Sequence, residues 1–124
     1  MVLKTETLTH TKVAISAAEE KLAKDIVALD LSNQGILADV FLIVTGANDP
    51  QLEAISNEIQ LQLQKVGERP IHREGFGGSS QWILLDYGDL VVHIQHPEIR
   101  TYYALERLWG DCPKLSTNSD KLDK

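Results

Sequence analysis

Residues 82–93 read Trp82-Ile83-Leu84-Leu85-Asp86-Tyr87-Gly88-Asp89-Leu90-Val91-Val92-His93. Apolar side chains fill both halves of this stretch, and turn-forming residues stand between them. We predict a β-hairpin with strands over Gln81–Asp86 and Leu90–Ile94, joined around Tyr87-Gly88. Glycine supplies the positive φ that a tight hairpin turn requires.

The face of the hairpin that carries Trp82 has an unusual composition for a core. Trp82 alternates there with Leu84 and Asp86, so a tryptophan and a carboxylate share one face. Five of the chain's seven aromatic residues fall between positions 82 and 109, and six acids accompany two arginines between positions 74 and 111. Aromatic anchors among acids suit a basic protein partner. The same rings could instead form core, and the pattern alone leaves both interpretations open.

The whole chain has the size and composition of one domain. Its 124 residues are 43% hydrophobic, enough for one core. We expect a single α/β domain over residues 13–111, with flexible ends at 1–12 and 112–124. Cys112 is the only cysteine, and the sequence shows neither a leader peptide nor an apolar run of membrane length. These features predict a cytoplasmic protein.

The charge balance argues against nucleic acid as the primary ligand. The net charge is −6, and 12 basic residues are scattered among 18 acidic ones. A protein that neutralises phosphates needs clustered lysine and arginine, because counterion release supplies much of that affinity. We therefore expect no direct sequence-specific binding of nucleic acid. An acidic protein can still dock on a basic protein of a ribonucleoprotein particle.

Periodicity and capping signals predict the element order α-β-β-α-β-β-β-α. Ser16-Ala17-Ala18-Glu19 has the spacing of a capping box and places a short helix between residues 13 and 24. Val40–Val44 is continuously apolar, as in a strand covered on both faces. Asp49-Pro50 begins the clearest amphipathic helix. The remaining predictions are strands at 25–31 and 70–74, a flexible loop at 75–80 and a last helix over 97–109. The broad apolar face of that helix consists of Ile99, Tyr102, Tyr103, Leu105, Leu108 and Trp109. We expect one mixed β-sheet with flanking helices.

Three aspartates are the strongest candidates for catalysis. Asp39, Asp86 and Asp89 could bind magnesium, because grouped carboxylates supply hard oxygen ligands. Aspartates beside a turn more commonly accept backbone hydrogen bonds, and we favour that interpretation. His93 and His96 lack the geometry of a zinc helix, so we favour a strand histidine and a helix cap. No motif specifies a catalyst, and we expect neither enzyme activity nor a bound metal.

Three segments of the chain together resemble one known family. They are Leu37-Ala38-Asp39-Val40-Phe41-Leu42-Ile43-Val44-Thr45-Gly46, the 82–93 stretch, and Tyr103-Ala104-Leu105-Glu106-Arg107-Leu108-Trp109. In this order and spacing they are similar to the ribosomal silencing factor family, also called Iojap-like, over about residues 18–109. Two positions depart from the family pattern. Val40 stands where an aromatic residue is common, and Gln95 stands where an apolar residue is usual, which leaves the end of that strand open.

The resemblance implies a fold related to nucleotidyltransferases but without their active site. It also implies binding to the large ribosomal subunit through ribosomal protein L-fourteen, beside the face that meets the small subunit. The bound factor would block joining of the small subunit and so repress translation, and no cofactor is needed. The alternative is a magnesium-dependent enzyme of nucleotidyltransferase type that uses the three aspartates.

The resemblance also nominates contact residues. The tryptophan and the turn tyrosine of the second segment fall on Trp82 and Tyr87, and the tyrosine of the third segment falls on Tyr103. We expect these rings to contact the partner. The acids expected to face its basic side chains are Asp86, Asp89 and Glu106. A homodimer that covers the aromatic residues in the free protein is a further possibility.

Overall fold

The computed structural model describes residues 4–34, 38–75 and 81–115. The elements follow in this order: α1 (Thr5–Glu20), β1 (Lys24–Asp30), β2 (Val40–Thr45), α2 (Asp49–Lys65), β3 (His72–Glu74), β4 (Trp82–Asp86), β5 (Leu90–Gln95), α3 (Pro97–Tyr103), α4 (Leu105–Leu108) and β6 (Lys114–Leu115). None of the helices in these three ranges has the length and apolar character needed to span a membrane.

The strands form one six-stranded sheet in the order β3-β4-β5-β2-β1-β6. Strands β2 and β5 pair in parallel, from Val40 opposite Leu90 to Thr45 opposite Gln95, and the other neighbours pair antiparallel. The mixed α/β sheet predicted from the sequence is therefore confirmed, and so is the hairpin of β4 and β5. Both central strands are nearly continuous apolar runs because they are covered on both faces.

The main core lies on one face of the sheet, beneath α1 and α2. Helix α1 contributes small side chains that allow close approach, and α2 contributes large ones, Leu52, Ile55, Ile59 and Leu63, as its stripe predicts. A smaller cluster lies on the other face around Leu29, Leu31, Ile43 and Cys112. The two faces therefore differ greatly in how much apolar surface they bury.

Helix α1 corrects the prediction of a flexible segment at 1–12. It begins at Thr5, so the predicted cap at Ser16 lies well inside it. Thr7 and Thr11 are buried, which their polar hydroxyls tolerate because each is hydrogen-bonded. The Thr7 hydroxyl donates to Asp89 Oδ2 at 2.8 Å and the Thr11 hydroxyl donates to the Thr7 carbonyl at 2.8 Å. Because two buried positions of α1 hold polar threonines, a hydropathy pattern does not show the buried face at the start of this helix.

The structure corrects the prediction of a flexible tail at 112–124 only over its first part, residues 112–115. Cys112 is buried, and β6 pairs with β1 so that Ala28 lies opposite Leu115. Strand β6 carries too few apolar residues to be predicted from a pattern. Residues 116–124 and most of the predicted 75–80 loop lie outside the described residues.

The predicted last helix is two helices in the structure. Ala104 separates α3 from α4 and has a left-handed backbone, with φ 47° and ψ 53°. Alanine rarely adopts this conformation because its Cβ crowds the backbone. The break turns the chain, so residues on either side of it do not share one helical stripe.

Asn48, rather than the predicted Asp49, caps α2, and this cap can be tested. Its side chain accepts a hydrogen bond from the Gln51 amide at 3.0 Å. Asn48→Ala should lower the free energy of unfolding by about 1 kcal/mol, because the backbone N–H of Gln51 loses its hydrogen-bond acceptor. The change is measured by urea denaturation. Asn57→Ala, at an exposed position inside the same helix, should not destabilise. Equal losses in both variants would contradict the assignment of the cap.

Candidate protein-binding surface

Three aromatic rings form a connected patch on the face opposite α1 and α2. The ring centroids of Trp82 and Tyr103 are 4.8 Å apart, and those of Tyr103 and Tyr102 are 5.0 Å apart, edge to face. Tyr102 is 80% exposed and Tyr103 49% exposed. Trp82, the first residue of β4, is partly buried. We call Trp82, Tyr102 and Tyr103 the aromatic surface.

Helices α3 and α4 leave several of their large apolar residues exposed to solvent. Leu108, on α4, is 70% exposed, in addition to the two tyrosines of α3. The sequence predicts a broad apolar face on one last helix, and the structure places much of that face outside. Exposed apolar residues of this size in a contiguous patch indicate an interaction site.

A histidine lies directly beneath the aromatic surface. The Trp82 indole N–H donates to His93 Nδ1 at 3.1 Å, and the other side of the His93 ring packs edge-on against Phe41. Burial lowers the pKa of His93 to about 4, so the ring is neutral near pH 7. Neutral imidazole suits its role as the acceptor for Trp82. The expectation of a strand histidine is confirmed, and His96 caps α3 as expected by accepting from the Glu98 amide.

More polar groups lie in the same layer of the sheet. Gln95, opposite Trp82 in the register of β4 and β5, is fully buried, and neither polar atom of its side chain has a hydrogen-bond partner among the described residues. The same is true of His93 Nε2. Buried polar groups of this kind oppose folding. The layer under the rings is therefore more polar than a core built only for stability.

The three candidate aspartates do not converge on one point. Asp86 Oδ1 accepts the Gly88 amide at 2.8 Å within the hairpin turn. Asp89 Oδ2 accepts the Thr7 hydroxyl of α1, on the opposite face of the sheet, and lies 3.7 Å from His10 Nδ1. Asp39 contributes its backbone amide to the Asp89 carbonyl at 2.9 Å. Within the described ranges, no group of three histidines, cysteines or acids is arranged to hold a metal ion.

Tyr87 lies in the main core and not on the aromatic surface. It is 6% exposed and belongs to the same core cluster as Ile83 and Leu85, which lie on the same face of the sheet. Burial raises the pKa of its phenol to about 12. The alternation of side chains along a strand could have indicated from the sequence that Tyr87 faces the core. Positions 83, 85 and 87 share one face, and Trp82 lies on the other. Of the three rings nominated from the sequence, Trp82 and Tyr103 are accessible.

Glu106 is held by a residue that sequence reasoning did not nominate. Its Oε2 accepts from Arg100 Nε at 2.7 Å, and Arg100 Nη1 donates to the Thr45 hydroxyl at 2.8 Å. Arg100 is buried, and Glu106 is 28% exposed in its side chain. The sequence does contain a sign of this role, because Arg100 stands among the apolar residues of the predicted last helix. Tyr102, the most exposed ring, was likewise noticed only as part of the apolar face.

A mixed sheet with two helices on one face and exposed rings on the other defines a small α/β domain. The family model "Ribosomal silencing factor during starvation" matches residues 4–124. The chain belongs to the ribosomal silencing factor family. It is 45% identical over 102 residues to the ribosomal silencing factor RsfS of Bacillus subtilis, which covers 82% of this chain and 86% of that protein.

Two further relatives extend the similarity. A crystal structure of a Chromobacterium violaceum protein has a TM-score of 0.78 and 36% identity, and the match covers 87% of this chain and 88% of that one. The chloroplastic protein Iojap of Zea mays is 31% identical over 117 residues, which is 93% of this chain and 50% of that protein. The resemblance drawn from three sequence segments is thereby confirmed.

The buried His93 predicts a dependence of stability on pH. The folded protein keeps His93 neutral down to about pH 4, whereas the unfolded chain takes up the proton near pH 6.5. The unfolded state therefore binds more protons between these values, so stability falls as the pH falls through this window. The shift corresponds to about 3 kcal/mol.

The measurement is urea unfolding of the wild type and of His93→Gln at several pH values from 7 to 4. His93→Gln has no titrating ring, so its stability should fall less across the window. His72→Gln is the matched control, because it makes the same substitution at an exposed position outside the core. Parallel curves for the wild type and His93→Gln would contradict the assignment.

Proposed function

We propose that this protein represses translation by occupying the large ribosomal subunit and blocking its union with the small subunit. Family membership supports action on the ribosome. The aromatic surface is the observation that carries the proposal, because it offers a binding site of protein type on an acidic domain. The repression is steric, since a folded domain on the joining face excludes the contacts that bridge the two subunits.

The proposed docking site is ribosomal protein L-fourteen, as the family resemblance implies. A basic ribosomal protein complements a chain whose net charge is −6, and opposite charge speeds encounter. In this proposal Trp82, Tyr102 and Tyr103 insert as anchors. Rings of this kind supply much contact area with few rotatable bonds, which limits the entropy lost on binding.

A pocket beside Trp82 adds chemical detail to this proposal. It has a volume of about 330 Å³, and Glu74, Gly75, Trp82 and Leu84 line its described part. An acid at the rim and apolar walls suit the long stem and charged end of a lysine or arginine. The Glu74 side chain is 65% exposed, so a partner can reach its carboxylate, which lies 2.9 Å from His72 Nε2.

Some of the residues nominated from the sequence are proposed to bind the partner, and others are assigned to stabilising the fold. Asp86 is partly exposed on the Trp82 side of β4, and we propose it as a flanking acid. Asp89 and Tyr87 face α1 and the core, and we assign both to folding. Direct contact with L-fourteen is thus proposed for fewer residues than the sequence nominated.

The proposal is tested by a subunit-joining assay with purified ribosomal subunits. The wild-type protein should reduce formation of the joined ribosome in proportion to its occupancy of the large subunit. Unchanged joining at saturating protein would contradict the proposed function. Binding to the isolated large subunit, measured by co-sedimentation, separates a failure to bind from a failure to block.

Tyr102→Ala and Trp82→Ala should each weaken binding to the large subunit by at least about tenfold, which is the effect of losing an anchor worth more than 1.4 kcal/mol. Tyr102 is the cleaner site, because at 80% exposure its loss should leave the fold unchanged. Leu61→Ala on α2 is the control, since Leu61 is 47% exposed on the opposite face. Normal binding by both aromatic variants would remove these residues from the interface. A change of mass in Trp82→Ala, measured by sedimentation without ribosomes, would assign the rings to a homodimer instead.

A further inference from the structure

Helices α3 and α4 are attached to the sheet in an unusual way. Among the residues of these two helices, only Arg100 is buried, and no apolar side chain of either is fully covered. Leu105 is partly buried and packs on the smaller cluster with Phe41 and Trp109. The elements that carry two of the three exposed rings therefore depend on a buried arginine rather than on an apolar stripe.

Arg100 contacts three parts of the structure at once. Its Nη1 donates to the hydroxyl of Thr45, a buried residue at the end of β2, at 2.8 Å. Its Nε donates at 2.7 Å to Glu106 in the first turn of α4, and its own carbonyl accepts from the Ala104 amide at 2.9 Å. We call Thr45, Arg100 and Glu106 the Arg100 cluster. The cluster joins the sheet, α3 and α4 across the break between the helices.

The break itself requires support from neighbouring residues. Ala104 has φ 47°, a left-handed conformation that disfavours any residue with a Cβ. Such a backbone persists when the surrounding contacts hold it in place. The Arg100 carbonyl accepts from the Ala104 amide and the Arg100 guanidinium holds Glu106, two residues beyond the break, so Arg100 supplies that restraint. Tyr103, which immediately precedes the break, is the ring that bridges Trp82 and Tyr102.

We propose that Arg100 is a positioning residue for the binding surface: with Thr45 and Glu106 it fixes the corner between α3 and α4 and thereby sets Tyr103 against Trp82. Glu106 then acts inside the protein, as the acceptor for Arg100, and not as an acid that faces a basic partner. This inference rests on the proposed function for its biological meaning, but its structural part can be measured without ribosomes.

Glu106 distinguishes positioning from direct charge contact. Glu106→Gln removes the charge but keeps an oxygen that accepts from Arg100, whereas Glu106→Ala removes both. Positioning predicts that Glu106→Gln binds the large subunit within about threefold of the wild type, while Glu106→Ala loses tenfold or more. Equal losses in the two variants would assign Glu106 to direct contact and overturn its part in the proposal.

Thr45 provides the second test, because it is buried and cannot touch a partner. Thr45→Val removes the acceptor of Arg100 and should weaken binding severalfold. Thr11→Val is the matched control, since it also loses a buried hydroxyl hydrogen bond of 2.8 Å, but beneath α1 on the other face. Equal binding losses in these two variants at equal thermal stability would show a general effect on folding and would overturn the proposal.

The free protein supplies a readout that is independent of the ribosome. In two-dimensional NMR spectra, Thr45→Val and Arg100→Lys should shift the Trp82 indole N–H and the Tyr103 ring signals, while Thr11→Val leaves them in place. Unmoved signals in folded Thr45→Val and Arg100→Lys would overturn the positioning role. If the wild type fails to bind large subunits but these signals shift as expected, the proposed function fails and the positioning role remains supported.

Discussion

The parallel pairing of β2 with β5 at the centre of the sheet is the constraint on which the rest of the structure depends. Two strands buried on both faces need cover on both sides, because neither can leave its apolar side chains in water. Helices α1 and α2 supply that cover completely on one face. The other face receives only a small apolar cluster and two short helices. This asymmetry leaves aromatic side chains accessible on an otherwise well-packed domain.

On the face opposite α1 and α2, polar contacts hold the structure where apolar packing is sparse. The Trp82–His93 hydrogen bond and the Arg100 cluster both lie there, between the central strands and the solvent. Hydrogen bonds fix direction more narrowly than apolar contacts do. A surface assembled in this way can hold exposed rings in one arrangement without burying them, which is what a binding site requires before its partner arrives.

Much of this fold could be predicted from the sequence, and the errors have identifiable physical causes. The runs at β2 and β5 and the stripe of α2 predict their structures because burial dictates residue type there. The start of α1 is hidden because Thr7 and Thr11 bury hydroxyls that bond inside the structure. The helix break is invisible because alanine at position 104 is a strong helix former, and only tertiary contacts impose its left-handed backbone.

The sequence predicts only part of the geometry of the candidate surface. The hairpin and the third family segment do meet at the Trp82–Tyr103 contact, which no local pattern specifies. The family resemblance nominates Tyr87, and Asp89 is nominated as an acid of the same hairpin turn. In the structure Tyr87 packs in the main core and Asp89 accepts from Thr7 of α1. Arg100 was overlooked because its partners, Thr45 and Glu106, become apparent only when the sheet and the helix break are known.

The sheet order also determines when this chain can fold during its own synthesis. Strand β2 pairs with residues fifty positions later, and in the described part of the chain β1 pairs along its outer edge with residues 114 and 115. The Thr7–Asp89 hydrogen bond joins residues 82 positions apart. Contacts of such sequence separation slow folding and cannot form on a partial chain. A nascent chain that ends before β5 therefore leaves β2 without its central partner, so the sheet is completed only after β5 has been synthesised.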